Sequence, residues 1–301
     1  TVKAADAGGL FTTQSFTIAV SNVNEPPAAI ADADAGANTV AENAASGTTV
    51  GVTALASGDP DAGDAIAYSL FDDAGGRFAI DPSSGVVSVA GGSLLNFEAA
   101  ASHSLTVKAT DAGGLFTTQS FTIEVSNVNE PPAAIVDTDA GANTVAENAA
   151  SGTAVGITAL ASGDPDAGDT ISYSLSDNAG GRFAIDPSSG VVSVADGSLL
   201  NFEAASSHTL RVEAADAAGL STRQDFTINV SNVNEPPTAI ADADAADNTV
   251  AENAASGTTV GVTALASGDP DAGDAIAYSL FDDAGGRFAI DPSSGVVSVA
   301  G

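Results

Sequence analysis

Oxygen ligands are the chemistry this sequence offers. Within residues 28–132 the acids and amides gather in short phrases: "VAEN" with Glu42, "SGDPDAGD" with Asp59, Asp61 and Asp64, "LLNFE" with Asn96 and Glu98, "ATDAGG" with Asp111, and "NVNE" with Asn127, Asn129 and Glu130. Carboxylates and amide carbonyls are hard ligands, and Ca2+ takes about 6–8 such oxygens at about 2.3–2.6 Å. An EF-hand loop does not explain them. Counted from Asp59, the fifth position is Gly63 and the twelfth Leu70, where that loop requires glutamate. "DADAGAN" at 32–38 fails the same test and is read as a surface loop.

The elements that must position these oxygens recur. "SNVNEPP" stands at 21–27, 126–132 and 231–237, a spacing of 105 residues, which argues for one domain per period. Boundaries after each Asn-Glu-Pro-Pro give the C-terminal part of a repeat at 1–27, full repeats at 28–132 and 133–237, and the N-terminal part of another at 238–301. "TVKAADAGGLFTTQSFTIAV" at the start matches "TVKATDAGGLFTTQSFTIEV" at 106–125, so the chain is expected to be a stretch of a longer array. Leu105, Val107 and Ala109 alternate with Thr106 and Lys108, and Phe121, Ile123 and Val125 with Thr122 and Glu124. That period of two predicts half-buried strands. Further strands are expected at 49–55, 65–70, 77–80 and 86–90, separated by Asp/Gly/Pro turns, and "SLLNFEAAAS" at 93–102 has room for one helical turn. Six or seven such strands per period predict an all-β chain of tandem seven-stranded Greek-key β-sandwiches, immunoglobulin-like and joined end to end. Strand ends then collect at the poles of each sandwich, where acids distant in sequence can meet. Two prolines fix φ near −65° and hold the residue before them extended, so Glu25, Glu130 and Glu235 are presented on stiff connectors.

Composition narrows the partners. Against 39 acidic residues stand 7 basic ones, a net charge of −32, which repels nucleic acid and anionic membranes and favours cations. The absence of cysteine excludes disulfides and thiolate metal sites, and no apolar run approaches transmembrane length. No G-x-S-x-G elbow, P-loop or H-E-x-x-H occurs, so no enzyme is expected. His103 and His208 occupy matching positions and are read as surface residues. Arg77, Arg182 and Arg287 follow Gly-Gly before an apolar strand, where an edge-strand charge or a local ion pair suffices.

Taken in order, "VAEN", "DPDAGDAIAYSL", "FAIDPSSGVVSV", "LLNFE", "LTVKATDAGG" and "VSNVNEPP" resemble the extracellular cadherin repeat in the form found in large bacterial surface adhesins. The resemblance covers essentially the whole chain. It implies calcium between successive repeats, held by the lower end of one and the upper end of the next. Carried over by position, Glu42 matches the strand-A glutamate, and Asn96 and Glu98 match the family's Asp-Arg-Glu phrase. Asn127, Asn129 and Glu130 match the linker, and Asp164, Asp166 and Asp216 the aspartates of the following repeat. An earlier junction retains Asn22, Asn24, Glu25, Asp59, Asp61 and Asp111; a later one retains Glu147, Asn201, Glu203, Asn232, Asn234, Glu235, Asp269 and Asp271. Asn96 and Asn127 replace the family's aspartates, which implies weaker binding or the loss of one of its three usual sites. Glu130 replaces a shorter aspartate.

Two functions compete. One is a calcium-rigidified spacer of an extracellular or cell-surface adhesin. The other is a module whose repeats themselves bind a partner in a calcium-dependent way, by homophilic contact, by contact with other cell-surface proteins, or through a calcium-bridged polysaccharide. A binding face usually presents aromatics, and this sequence offers little beyond Tyr68, Tyr173, Tyr278, Phe71 and Phe281.

Overall fold

A computed structural model describes residues 1–301, which divide into two compact units, Thr1–Asn129 and Glu130–Gly301. In the first unit, β1 (Val2–Ala5) and β2 (Phe11–Gln14) form a two-stranded hairpin. Eight strands then build a sandwich: β3 (Ile30–Asp32), β4 (Thr39–Ala41), β5 (Thr49–Ala56), β6 (Ala67–Asp72), β7 (Phe78–Ile80), β8 (Val86–Val89), β9 (Ser102–Thr110) and β10 (Phe116–Ser126). One sheet has the order β3-β5-β8-β7 and the other β4-β10-β9-β6. Taking β3 and β4 as two segments of one divided strand that serves both sheets gives the seven-stranded arrangement. All pairings are antiparallel except β4 with β10.

The core follows the alternation. Val50, Val52 and Ala54 face Leu105, Val107 and Ala109 across the sandwich, closed by Phe78, Val87, Val89, Ile123 and Val125. Val2 in the hairpin and Phe16, Ile18 and Val20 just beyond it, counterparts of Val107, Phe121, Ile123 and Val125, stand exposed.

The second unit repeats the sandwich with β11 (Ile135–Asp137), β12 (Thr144–Ala146), β13 (Ala154–Ala161), β14 (Ser172–Asp177), β15 (Phe183–Ile185), β16 (Val191–Val194), β17 (Ser207–Ala215) and β18 (Ser221–Ser231). Its sheets are β11-β13-β16-β15 and β12-β18-β17-β14. There follow β19 (Ile240–Asp242), β20 (Thr259–Ala266), β21 (Phe288–Ile290) and β22 (Val296–Val299), which form a single sheet. Its inner face is only partly covered: Ile240 is 66% exposed, whereas its counterpart Ile135 is 4% exposed. No helix is long and apolar enough to cross a membrane.

Three local devices go beyond the sequence reading or amend it. Gly156 sits at φ 75° where the β13–β16 register shifts, and a Cβ there would lie 2.3 Å from the Ala142 carbonyl oxygen, so only glycine fits the bulge. Arg182 does stand at the head of an edge strand, β15, but its side chain makes no ion pair. Its Nε donates to the Leu199 carbonyl at 2.9 Å and its Nη1 to that of Ala179 at 2.7 Å, clamping an alanine held at φ 55°, and Arg77 does the same for Leu94 and Ala74. His103 and His208 are half-buried, not surface residues. Their rings lie 6.4 and 6.2 Å from Phe78 and Phe183, and burial, followed by the nearby Arg77 or Arg182, holds each pKa below the ordinary imidazole value.

The tyrosines serve the fold. Tyr68 and Tyr173 are buried, and their hydroxyl oxygens accept the Ala56 and Ala161 N–H groups at 3.1 and 3.2 Å. Tyr173→Phe strands that donor and is expected to lower stability by about 1 kcal/mol in urea unfolding, without altering secondary structure.

Candidate metal centre

The acids converge where one sandwich gives way to the next stretch of chain. The second unit holds one such set, two acid triads joined by a connector, without a counterpart of Asp111 or Asp216. Parallel pairing of β12 with β18 brings Glu147 beside the end of β18, where its N–H donates to the Ser231 carbonyl at 3.2 Å. Glu147 is 1% exposed. Its Oε2 accepts the Phe202 N–H at 2.8 Å and its Oε1 the Val233 N–H at 2.7 Å. These two backbone donors, Phe202 first, hold its pKa below the usual glutamate value. One carboxylate oxygen each from Glu147, Glu203 and Glu235 lies within 4.8 Å of the others.

Glu235 is carried on the Pro-Pro connector. Its N–H donates to Asp271 Oδ2 at 2.8 Å, while its Oε2 is buried without a partner. Burial, and then the charges of Glu147, Glu203 and Asp271, push its pKa up. Asp271 is buried, and its own N–H donates to Asp269 Oδ1 at 3.1 Å. Asp269, Asp271 and Asp274 form a second triad within 4.8 Å. Asn201 anchors the local turn, its carbonyl accepting the Ala204 N–H at 2.6 Å. Asn234 donates to the Glu235 carbonyl at 3.2 Å, and Asn232 is exposed just beyond β18.

The first unit holds a partial counterpart, without the upstream glutamates. Asp61 Oδ1 accepts the Asn22 amide and Oδ2 the Glu25 N–H at 2.9 Å, and these donors, Glu25 foremost, lower its pKa. Asn24 donates to Asp111 Oδ2 at 2.9 Å, and Asp59, Asp61 and Asp64 form a triad.

The remaining predicted residues fall on both units. In the first, Glu42 is buried and accepts Phe97 N–H at 2.8 Å and Val128 N–H at 2.7 Å. Asn96 accepts Ala99 N–H at 2.6 Å and donates to Glu98 at 3.3 Å, and Asn127 and Asn129 follow β10. In the second, Glu130 N–H donates to Asp166 Oδ2 at 2.8 Å, Asp164 Oδ1 accepts Asp166 N–H at 3.0 Å, and Asp216 Oδ1 accepts the Gly219 and Leu220 N–H groups at 2.6 and 2.9 Å. The prolines also dock: Thr117 and Thr222 hydroxyls donate to the Pro27 and Pro132 carbonyls at 2.6 and 2.5 Å. Assignment by position omits Asp64, Asp169 and Asp274. Their signal is the last letter of "DPDAGD", present in all three copies.

A family model described as the cadherin domain matches residues 37–126 and 142–231. The chain belongs to the cadherin family. Among curated cadherins it is 33% identical to human Protocadherin Fat 1 over 307 residues, covering 99% of this chain and 6% of that protein. It is 30% identical to Drosophila melanogaster Protein dachsous, covering 74% of this chain and 6% of that one. The chain thus spans a small fraction of the curated cadherins it matches. Among solved structures, the EC22-24 portion of mouse Cadherin-23 superposes with a TM-score of 0.59 at 28% identity, over 88% of this chain and 84% of that one. These relatives are animal proteins and speak for the cadherin repeat itself.

Proposed function

We propose that this cadherin chain is a calcium-stiffened extracellular spacer of a repetitive cell-surface adhesin, of the kind its phrases resemble in bacteria. On this reading the repeats divide at 27/28, 132/133 and 237/238. One observation carries it: Glu147, Glu203 and Glu235 converge while Glu235 grips Asp271 across the Pro-Pro connector, and two buried oxygens there, Glu235 Oε2 and Asp271 Oδ1, have no protein donor. Buried carboxylate oxygens without donors are costly, and a hard divalent cation is the partner that fits an all-oxygen set. Glu147, Glu203, Glu235, Asp269 and Asp271 would hold it, with Asn232 and Asn234 supplying carbonyls. Asn22, Asn24, Glu25, Asp59, Asp61 and Asp111 would act likewise at the first junction. Between the full repeats the set would be Glu42, Asn96, Glu98, Asn127, Asn129, Glu130, Asp164, Asp166 and Asp216. Calcium supplies positive charge there. The chain's own residues supply direction, because backbone N–H groups already fix the Glu147 and Asp271 carboxylates.

The partner-binding alternative loses Tyr68 and Tyr173, which are buried in the cores, and keeps Phe71 and Phe281, which are exposed. Calcium titration of thermal stability, with magnesium as control, tests the spacer. An ion bound only by the folded state adds roughly 2.7 kcal/mol per site at about 100-fold excess over Kd. Solution scattering should show a more extended chain with calcium than with EDTA. Unchanged melting and shape under EDTA would refute the reading, and calcium-dependent self-association would favour the alternative.

A further inference from the structure

We infer that His103 and His208 are acid switches, one in each full repeat: neutral, each holds its sandwich together, and protonated, each loosens it. The chain has no other histidine, so these are the two side chains whose ordinary titration falls near neutral pH. They stand at matching places, the second residue of β9 and of β17. The alternation that buries Leu105 and Val107 carries His103 inward with them, and that of Leu210 and Val212 does the same for His208. The cross-strand neighbours there are the buried Ile123 of β10 and Ile228 of β18. From the facing sheet, β7 and β15 bring the rings of Phe78 and Phe183 to 6.4 and 6.2 Å. In this apolar setting the Nε2 atom of each histidine is buried with no hydrogen-bond partner.

The charges around the rings do not favour an imidazolium. Arg77 and Arg182, just before β7 and β15, are the charged groups that act on them. The other charges of the packed strands turn to the outer face: Lys108 of β9 lies over the Phe116 ring and Glu124 of β10 is exposed. On β17 and β18, Arg211 pairs with Asp225 and Arg223 with Glu213. A neutral imidazole can carry its proton on Nδ1 and leave Nε2 a bare acceptor, whereas an imidazolium must donate from both nitrogens. Protonation therefore puts an N–H without an acceptor at an atom water does not reach, and a positive charge near a guanidinium. Both are costly in a buried position. Burial first, and the arginine second, hold each pKa below the ordinary value of 6.5. Above that value the ring is neutral in the folded and the unfolded chain, and its full contribution to stability is present. As pH falls below it the unfolded chain takes the proton first, and stability is lost until the folded value has been passed. None of the proposed calcium ligands is among these neighbours, so the switch does not depend on a metal.

The test uses the 301-residue chain in EDTA, so that release of calcium cannot cause acid sensitivity. Proton NMR follows the two imidazole rings through a pH titration. Calorimetry follows melting between about pH 7.5 and pH 5 in the wild type and in H103Q/H208Q, whose amides do not titrate. Both histidines should titrate below about 6.5 in the folded chain. Over the same range the wild type should lose about 4 °C or more of melting temperature beyond any loss in the variant, and that difference removes the carboxylates common to both proteins. Imidazoles that titrate at or above the ordinary value, or melting temperatures that fall in parallel for the two proteins, would overturn the switch. If the variant does not fold at neutral pH, the NMR titration of the wild type decides alone.

Discussion

Glu147→Ala is expected to destabilise the second sandwich by roughly 2–5 kcal/mol, because it strands two backbone donors, those of Phe202 and Val233, that no other group can serve. Few single changes in this chain should cost more. The acid is almost fully enclosed, and water reaches the vacated space only by entering a region the sandwich has closed. Differential scanning calorimetry in EDTA should show a melting transition lowered by about 10 °C or more for a domain of this size. The matching change Glu42→Ala should do the same to the first sandwich, since Phe97 and Val128 are held identically. Wild-type melting in the variant would mean that these glutamates serve only a bound ion.

Phe183→Ala should cost about 3–5 kcal/mol, close to the whole stability of a small sandwich. The phenyl ring is 2% exposed, and the core around it is built mostly of valine, isoleucine and leucine, with no tryptophan or methionine in the chain. No flexible neighbour can refill the space. Phe288→Ala supplies the internal comparison: the same residue type in the same strand position of the β19–β22 sheet is only half-buried and should cost clearly less. Urea unfolding followed by circular dichroism measures both, and equal losses would contradict the packing described.

Much of this was legible in the sequence, and the exceptions share a cause. The strands β5, β9 and β10 were announced by their alternation, and β6, β7 and β8 by short apolar runs between aspartate turns. The strands β3 and β4 were not, because three residues cannot display a period; they exist through pairing with β5 and with β10. The same long-range pairing explains why the burial of Glu42 was hidden. Its enclosure depends on a segment 86 residues away, Val128, being brought alongside by β10. The arginines misled for a related reason: their partners are carbonyls of a left-handed alanine turn, and nothing in "AGGR" declares that alanine's conformation. The acids of the site were visible by type and spacing, but the donors that orient them are backbone groups, which every residue carries alike.

The parallel pairing of β4 with β10 has a mechanical meaning. The chain enters this sandwich through β3, passes on into β4 and leaves just after β10, and β4 and β10 run the same way, with Glu124 N–H on the Asn38 carbonyl at 2.9 Å and Glu42 N–H on that of Ser126 at 3.2 Å. Tension applied to the two ends of the sandwich would slide these strands past one another and load their bonds together, in shear, instead of unzipping them one at a time. A sheet edge that looks like a minor detail of topology is thus the latch that would resist stretching.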